Sequence, residues 1–493
     1  MHTFIKLLSA VLLVLSLTAW GVDASPRHKT KFNKHYRTGP LVLGGSTFKI
    51  NQHFNPNYKR TADSGPVELA KTYKKFNVLF PDQVANAIAG IVGRLQGTDN
   101  VTVPFNASDV NFGTVETIPE AYDREYLSPV QIGTPPQTVN LNFDTGSADL
   151  WVNTNETPEN QQNGQAEYNP TLSSTSAKME GATWDITYGD GSASSGIVYT
   201  DVVSIGGVTV KTQAVESAQQ VSSSFQTDAA SSGLLGLGFG TINTVQPEQQ
   251  KTFFENAMND LASPLFTVNL MKQAPGSYDF GYINESEHTG EIKYAPVDNS
   301  RGFWGFNPSG FQVGNSSFNA TSWFAIADTG TSLLLLPGDM VDTYWSAVSG
   351  AKFDALQGGY TFPCTASLPS WSFGVEEYRG VVPGHFMNYA AISNSTCFGG
   401  IQSSDALGFS IFGDVVLKAQ FVVFDGGDNT LGGATNKFDP TMTAIQKTDI
   451  HKTMHSIEAG PGARDQASPD HWYCCKCNDE NDARSGDDCP GSV

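Results

Sequence analysis

A short unit occurs twice in the 493-residue sequence, and both copies end in an acidic residue. In the first half an apolar run leads into Asp144-Thr145-Gly146-Ser147, and about ninety residues later comes Leu234-Leu235-Gly236. In the second half Phe324–Ala327 leads into Asp328-Thr329-Gly330-Thr331, and a similar distance later comes Ile411-Phe412-Gly413. Self-similarity at a fixed spacing indicates a duplicated structural unit. We therefore predict two related halves that each contribute one aspartate.

The pattern from Tyr126 onward is typical of β-structure. Short alternating apolar runs are separated by Gly, Pro, Asn and Ser, and only 16% of all residues are charged. The predicted strands are Tyr126–Ile132, Val139–Phe143, Leu150–Asn153, Thr183–Tyr188, Gly196–Ile205, Val208–Val215, Phe324–Ala327, Ser332–Leu336, Phe409–Phe412 and Ala419–Phe424. Helices are predicted at Val67–Phe76, Gln250–Leu261 and Gly338–Ser349. The pattern favours an all-β protein with a few short helices.

Charge is distributed unevenly along the chain. The formal net charge of −20 argues against a nucleic-acid partner, because a phosphate-binding surface needs positive charge. Residues 25–100 carry 12 Lys/Arg and 4 Asp/Glu, whereas residues 101–493 carry 16 and 44. A basic segment ahead of an acidic one predicts an intramolecular electrostatic partner. The alternative is a solvated basic arm without a partner.

The N-terminus has the features of a secretory signal. Lys6 precedes the apolar run Leu7–Leu17, and Val22-Asp23-Ala24 offers an acceptable cleavage site before Ser25. The run is short for a membrane span, which disfavours a membrane anchor. The polar C-terminus lacks the tail of a lipid-anchor signal. We therefore expect a cleaved signal at residues 1–24 and a secreted, extracellular protein with no membrane partner.

Glycosylation triplets and cysteines agree with this compartment. The Asn-X-Ser/Thr triplets begin at Asn100, Asn106, Asn155, Asn284, Asn315, Asn319 and Asn394. Six cysteines are few for this length, so we expect disulfides to staple the protein locally.

The two Asp-Thr-Gly frames suit acid–base chemistry. A carboxylate directly after a buried strand is costly unless hydrogen bonds satisfy it. The glycine allows close backbone approach, and Ser147 or Thr331 offers a hydroxyl to the outer oxygen. Two carboxylates brought face to face share one proton and titrate in two steps. The ionised acid then acts as general base on a water, without a cofactor, a metal or a nucleophilic side chain, and the working range is acidic.

The sequence resembles the pepsin-like aspartic proteases (family A1), and among them the secreted fungal members of the aspergillopepsin and penicillopepsin type. The resemblance runs from about Tyr126 to Phe438. It is densest in FDTGSADLWV, ITYGDGSASSG, GLLGLGF, AIADTGTSLLLLP and IFGDVVLKAQFVVFD. It implies a bilobal fold with two related, barrel-like β lobes, a six-stranded interdomain sheet and an extended substrate cleft.

Asp144 and Asp328 match the catalytic pair of this family, so the resemblance implies that the chain is an aspartic-type endopeptidase. Thr145 and Thr329 match the threonines that form reciprocal hydrogen bonds between the two active-site loops. The supporting frame residues are Gly146, Ser147, Gly330 and Thr331. The resemblance also implies protein or peptide substrates, pepstatin-type inhibitors and a monomer.

A hairpin flap over the site is implied by the same resemblance. Tyr188 and Gly189 match the flap, and Trp151 matches the tryptophan whose indole N–H holds the tyrosine hydroxyl. Asp190 and Ser192 resemble positions with which some fungal members accept lysine at P1; the alternative for Asp190 is an exposed turn acid. Apolar and aromatic side chains are otherwise favoured, with Phe225 as a candidate pocket wall.

The basic N-terminal segment resembles the inhibitory propeptide of these zymogens. The run Phe48–Gln52 looks like its first strand, and either Lys74 or Lys75 is expected to reach the two aspartates and displace the catalytic water. Acidification protonates the acids that hold the segment, so its binding weakens. The exact processing site is placed only within residues 95–118.

The predicted domain boundaries follow. They are a signal peptide at 1–24, a propeptide at 25–110, an N-terminal lobe at 111–300, a C-terminal lobe at 301–440 and a polar tail at 441–493. Cys364 and Cys397 match the single C-terminal-lobe disulfide of the fungal enzymes; free thiols are the alternative. The tail is expected to be largely disordered. For its cysteines (Cys474, Cys475, Cys477 and Cys489), two disulfides or a mis-predicted exon are favoured over zinc.

Two rival functions share part of this pattern. One is a catalytically silent binding or inhibitor protein on the same fold. The other is a two-carboxylate glycosidase, although the acids of such enzymes do not come in duplicated Asp-Thr-Gly frames.

Overall fold

The computed structural model of the protein describes residues 46–51, 53–54, 61–76, 78–95, 126–187, 193–226, 229–272 and 274–437. These residues belong to one compact unit, Met1–Asp439. The predicted signal segment, the predicted cleavage region after residue 95, the hairpin tip at residues 188–192 and the tail at 441–493 lie outside the described residues.

Strands dominate the described residues. Those of the first half are β1 (Phe48–Asn51), β2 (His53–Phe54), β3 (Tyr126–Ile132), β4 (Gln137–Asp144), β5 (Leu150–Asn153), β6 (Ala177–Thr187), β7 (Ala193–Ile205), β8 (Val208–Val221), β9 (Gly233–Gly236), β10 (Leu265–Met271), β11 (Ala274–Phe280) and β12 (His288–Pro296). Those of the second half are β13 (Gly305–Phe306), β14 (Phe311–Val313), β15 (Ala325–Ala327), β16 (Leu334–Leu336), β17 (Lys352–Asp354), β18 (Gly359–Pro363), β19 (Trp371–Val375), β20 (Tyr378–Val382), β21 (Asn388–Ala391), β22 (Thr396–Gly399), β23 (Ile401–Ser403), β24 (Ser410–Phe412), β25 (Gln420–Asp425) and β26 (Thr430–Asn436).

The helices are short. They are α1 (Ser64–Lys75), α2 (Asp82–Leu95), α3 (Ser223–Gln226), α4 (Phe253–Ala257), α5 (Gly338–Ser346) and α6 (Asp414–Leu417). Helix α4 starts later than predicted because Thr252 and Glu255 form a reciprocal capping box, and it continues only as a 3-10 turn, Met258–Asp260. Helix α2 was not predicted, although Val84, Ile88 and Ile91 recur at helical spacing and are buried.

The first half forms an eight-stranded sheet with the order β2-β3-β4-β9-β5-β8-β7-β6, and β3 also pairs with β7. Alternation places Val139, Leu141 and Phe143 of β4 in the core, each at most 1% exposed. Burying each such side chain stabilises the fold by roughly 1.5–3 kcal/mol. The additional β3–β7 pairing curls the sheet toward a barrel. Strands β6 and β8 are longer than predicted because β7 pairs with them over most of its length.

The second half repeats the core of this arrangement. Strand β4 runs parallel to β9, which pairs antiparallel with β5. In the same way β15 runs parallel to β24, which pairs antiparallel with β16. The predicted duplication is therefore present in strand topology as well as in sequence. Both aspartates follow the first strand of their unit.

A six-stranded sheet, with the order β1-β11-β10-β25-β26-β12, joins strands from both halves and from the N-terminal segment. Phe266 of β10 stacks on Phe280 of β11 and on Phe424 of β25, with ring centroids 5.4 and 4.7 Å apart. The all-β, two-lobed fold class predicted from the sequence is confirmed, together with its shared sheet.

Helices α1 and α2 pack against the second half. Leu69 and Tyr73 of α1, with Ile88 of α2, form one buried cluster with Ile326 and Phe398. The Tyr73 hydroxyl also donates to the carbonyl of Ser403 at 2.9 Å. This packing is what places the C-terminal end of α1 beside the two aspartates.

The second half also contains a three-stranded sheet, β14-β19-β20, a four-stranded sheet, β17-β18-β22-β21, and a disulfide. Cys364 and Cys397 form a disulfide that spans 33 positions and anchors the end of β18 to β22. In the part of the chain that the structure describes, no helix is both long and apolar enough to cross a membrane.

Candidate active site

The two Asp-Thr-Gly loops meet at the junction of the two halves. Asp144 ends β4 and Asp328 directly follows β15. The carboxylates are buried, at 1% and 0% exposure. Since each loop leaves a parallel strand pair at the same end, duplication of the unit brings the two acids together.

Each carboxylate is satisfied by its own frame. The backbone N–H of Gly146 donates to Asp144 Oδ1 at 2.8 Å, and Ser147 Oγ donates to Oδ2 at 2.6 Å. Around Asp328 the same two bonds come from Gly330 N at 2.9 Å and Thr331 Oγ1 at 2.6 Å. Hydrogen bonds to the ionised form offset the cost of burying these charges.

The threonines of the two frames lock the loops to each other. Thr145 N donates to Thr329 Oγ1 and Thr329 N donates to Thr145 Oγ1, both at 3.0 Å. Each hydroxyl then donates to a carbonyl of the opposite half: Thr145 Oγ1 to Ala327 O at 2.9 Å and Thr329 Oγ1 to Phe143 O at 2.8 Å. The network holds the two loops in a fixed relative position.

Glycine is required at the third position of each frame. A Cβ on Gly146 would lie 2.4 Å from Asp328 Oδ1, and one on Gly330 would lie 2.2 Å from Asp144 Oδ1. Any side chain would therefore collide with the opposing carboxylate. The group whose close approach requires each glycine is therefore the carboxylate of the opposite half.

Lys75, the last residue of α1, lies between the carboxylates. Its Nζ donates to Asp144 Oδ1 and Asp328 Oδ1, each at 2.8 Å, and lies 3.0 Å from Asp328 Oδ2. Lys74 instead places its Nζ 5.5 Å from the centroid of the Phe80 ring. Of the two candidate lysines, the structure brings Lys75 to the aspartates.

Burial and the Lys75 charge act on the pKa of every member of this group. Burial lowers the pKa of Lys75, but Asp144 and Asp328 outweigh it and raise that pKa above its usual value. Burial raises the pKa of Asp144, but Lys75 and the Ser147 and Gly146 donors lower it below the usual range. Burial, opposed by Lys75 and reinforced by the Asp144 charge, raises the pKa of Asp328 to about 6. The two carboxyls therefore titrate apart.

An aromatic cluster that the sequence analysis did not find adjoins the aspartates. Phe76, the residue after Lys75, packs edge-on against Phe303 and Phe409, with ring centroids 5.3 and 5.1 Å apart. Arg301 lies 5.1 Å from the centroid of the Phe324 ring beside them. No local pattern joins these residues, because they come from four separate segments of the chain.

The flap region is described up to its tip. Strands β6 and β7 pair up to Thr187 opposite Ala193, so the predicted hairpin is present. Tyr188, Gly189, Asp190 and Ser192 lie outside the described residues. Trp151 is buried at 1% exposure, and its ring lies 4.9 Å from that of the half-buried Phe225. Trp151 belongs to one buried apolar cluster with Trp184 of β6 and Val198 of β7, and Phe225 packs against that cluster.

A second basic contact of the N-terminal segment was also missed. Lys49 of β1 forms an ion pair with Glu287, and its Nζ lies 3.8 Å from Asp279 Oδ2. Burial and the neighbouring Glu287 raise the pKa of Asp279 to about 6, although Lys49 lowers it. The sequence signal was the alternation in Phe48–Asn51, which turns Lys49 away from the two apolar neighbours that enter the core.

The chemistry of this arrangement is that of a carboxyl pair. Two buried carboxyls with separated pKa values provide one general base and one proton donor. Among the described residues, no group of three or more His, Cys, Asp or Glu side chains is placed to hold a metal ion.

Known proteins are similar to this chain in sequence and in fold. The family model for eukaryotic aspartyl proteases matches residues 125–436. Endothiapepsin from Cryphonectria parasitica is 48% identical over 430 residues, 86% of this chain and 98% of the relative. Penicillopepsin-3 from Penicillium janthinellum is 52% identical over 324 residues, 65% of this chain and 81% of the relative.

A solved structure supports the fold. The crystal structure of the aspartic proteinase from Irpex lacteus matches with a TM-score of 0.54 at 24% identity, over 64% of this chain and 95% of that chain. The chain therefore belongs to the eukaryotic aspartyl protease family, as an aspartic-type endopeptidase similar to the pepsin-like enzymes of fungi.

Proposed function

We propose that the chain is the zymogen of a secreted aspartic endopeptidase in which Asp144 and Asp328 activate water at acidic pH. The observation that carries the proposal is the position of Lys75, whose Nζ lies 2.8 Å from both carboxylates. An ammonium there fills the space that a reacting water and a scissile carbonyl need.

Catalysis is expected once Lys75 has left. Without its charge, the two carboxyls share one proton, because both cannot remain ionised in a buried site. The ionised carboxylate takes a proton from the bound water as the water attacks the peptide carbonyl carbon. The protonated carboxyl donates its proton to the carbonyl oxygen, which gives a tetrahedral intermediate with two hydroxyl groups. The C–N bond then breaks as the proton taken from water passes to the leaving amine nitrogen, and one hydroxyl proton returns to the carboxyl pair. Ser147 and Thr331 hold the outer oxygens, so the inner oxygens face the substrate.

Acid pH is expected to release the N-terminal segment. Lys75 lowers the pKa of Asp144, so the stabilisation that its bridge provides is present above the usual carboxyl pKa. It is lost as pH falls through the lowered value, because a protonated Asp144 no longer attracts the ammonium. We assign the inhibitory segment to residues 25–110, the two lobes to 111–300 and 301–440, and the cleavage site to residues 95–118.

Two groups of aromatic side chains support a preference for apolar and aromatic substrate side chains. Phe76 occupies an aromatic cluster with Phe303 and Phe409 directly beside Lys75. Trp151 and Phe225 are in edge-on ring contact within an apolar cluster that includes residues of the two hairpin strands. We further propose that Asp190 and Ser192 at the flap tip allow lysine to be accepted at P1.

Secretion is proposed from the N-terminal signal pattern and the surface. Four of the glycosylation triplets begin at exposed asparagines: Asn155, Asn315, Asn319 and Asn394. The disulfide between Cys364 and Cys397 suits an oxidising compartment.

The function is tested by measuring whether the chain cleaves an acid-denatured substrate protein at about pH 3–4. In this range a carboxyl pair shares one proton. We expect activity that pepstatin-type inhibitors block and that Asp144→Asn abolishes, since the amide cannot act as a base. Glu248→Gln, an exposed carboxyl on the same half, is the matched control. Digestion by a pure Asp144→Asn sample would overturn the mechanism, and a silent wild-type chain would favour a binding protein. N-terminal sequencing after acidification locates the cleavage site.

A further inference from the structure

A second pair of buried carboxyls lies directly beside the Asp144 loop. Asp149 is on the loop that joins β4 to β5, and Glu216 is on β8. Each side chain belongs to a residue only 1% exposed. The catalytic steps proposed above use neither residue, and buried carboxyls are costly unless a structural or functional role compensates.

Asp149 is held as an acceptor. Its Oδ1 accepts from Thr244 N at 2.9 Å, from Thr244 Oγ1 at 2.7 Å and from Asn243 Nδ2 at 3.2 Å. Three donors on one oxygen favour the ionised form of this carboxyl. They also fasten the loop to the segment that follows β9.

Glu216 has the opposite environment. Its Oε1 accepts from Asn243 Nδ2 at 2.9 Å, and the backbone N–H of Leu150 is a further donor to the carboxyl that lowers its pKa. Among the described residues, no donor meets hydrogen-bond geometry at Oε2. The Glu216 carboxyl lies within hydrogen-bonding reach of the Asp149 carboxyl. An Oε2–H group that donates to Asp149 satisfies both side chains, whereas two carboxylates would leave Oε2 unsatisfied and repel each other.

Charges around the pair support this assignment. Burial, reinforced by the Asp149 charge, raises the pKa of Glu216 well above its usual value. Burial raises the pKa of Asp149 as well, although Thr244 opposes this, and Asp144 is the further carboxyl that acts on it. In the described part of the chain, no lysine, arginine or histidine forms an ion pair with either side chain.

The pair is mechanically connected to the catalytic loop. Gly236 N donates to Asp149 O at 2.9 Å, and Gly238 N donates to Ser147 O at 2.8 Å. Ser147 in turn donates its hydroxyl to Asp144 at 2.6 Å. Ser147 lies only two residues before Asp149, so a displacement of Asp149 would also move the hydroxyl that orients Asp144.

We propose that Glu216 and Asp149 share one proton, and that this carboxyl–carboxylate hydrogen bond positions the Asp144 loop and sets the upper pH limit of the active conformation. Both are positioning residues. With the folded-state pKa of Glu216 raised, the stabilisation is complete below its usual pKa and is lost as pH rises through the raised value. Ionised Glu216 then repels Asp149 and releases the loop. The link to catalysis rests on the proposed role of Asp144; the shared proton does not.

Infrared difference spectroscopy on the full chain at neutral pH tests the shared proton without any assay of activity. Subtracting the Glu216→Gln spectrum from that of the wild type should leave the carbonyl band of one protonated, buried carboxyl. Asp149→Asn should remove the same band, because its amide donates to Glu216 in place of the proton. Glu248→Gln, an exposed control, should leave it unchanged. If neither variant of the pair removes a band, the proposal is wrong.

The pH profile of the acid-activated enzyme tests the positioning role. Glu216→Gln keeps a donor to Asp149 but does not titrate, so its activity, normalised to its own maximum, should persist to a pH higher by about one unit or more. Thermal midpoints of the full chain should show the same shift. Superimposable profiles for wild type and Glu216→Gln would overturn the positioning role. An inactive wild type with the carbonyl band present would contradict the proposed function alone.

Discussion

Individual residues at the aspartates act through single atoms. Ser147 and Thr331 each donate one hydroxyl to an outer carboxylate oxygen, and the absent Cβ of Gly330 leaves room for Asp144. Lys75 supplies one ammonium to both acids. Each contribution comes from a particular atom. Substituting Lys75 should therefore change inhibition, whereas substituting the aspartates or their donors should change catalysis.

Lys75→Met should weaken inhibition, because no cation then occupies the space between the carboxylates. We expect proteolysis before acidification and a less stable zymogen, since removing one partner of a buried ion pair costs about 3–5 kcal/mol. Peptide cleavage at near-neutral pH and thermal unfolding measure the two effects.

The matched control is Lys74→Met. It changes the same charge one residue earlier, at a lysine whose Nζ lies 5.5 Å from the centroid of the Phe80 ring. If Lys74→Met releases activity and Lys75→Met does not, the assignment of the inhibitory lysine is wrong.

At the scale of elements, β1 attaches the N-terminal segment to the shared sheet. It pairs with β11 from Phe48 opposite Phe280 to Asn51 opposite Ser277. Its lysine faces two buried acids, Asp279 and Glu287. The strand therefore supplies hydrogen bonds, an apolar face and a charge, whereas α1 supplies the contact with the aspartates.

Lys49→Met should destabilise the full chain more at pH 7 than at pH 4. The pKa of Asp279 is raised to about 6, so its burial costs stability as pH rises through that value, and Lys49 opposes this loss. We expect the fall in thermal midpoint to be about 2 °C larger at pH 7.

Lys211→Met, at an exposed position of β8, is the control for loss of a charge. An equal fall at both pH values for Lys49→Met would show that only packing was lost.

At the scale of the molecule, the shared sheet connects the two halves on which the aspartates depend. Phe266 contacts Phe280, Phe424 and Trp304, and these residues come from both halves. The reciprocal threonine bonds require the halves to stay in register. Stability of the sheet and geometry of the site are therefore coupled.

Phe266→Ala should cost about 3–5 kcal/mol, because it leaves a cavity in a fully buried aromatic cluster. Activity and the thermal midpoint should fall together. Phe353→Ala removes a 46% exposed ring from the second half and should change both only slightly. Full activity with a lowered midpoint in Phe266→Ala would contradict the coupling.

Much of the fold and the centre of the site could be predicted because their signals are local. An apolar strand followed by Asp-Thr-Gly specifies both the buried acid and its donors within four residues, and the second copy specifies the duplication. Alternation located β3–β8, β15, β16, β24 and β25, but most of the shorter strands, such as β17–β23, were not predicted. In β6 it found the second part, where Ala182 and Trp184 are buried, and missed the largely exposed start at residues 177–181.

The sequence by itself determined the aspartates, the duplicated β unit and the family, since these depend on neighbours in the chain. Only the tertiary structure decided between Lys74 and Lys75, because α1 must first pack on the second half before one lysine faces acids as distant as Asp328, 253 positions away. The same holds for the Phe76 cluster and for the Asp149–Glu216 pair. Their energies depend on burial and on mutual distance, which no local pattern records.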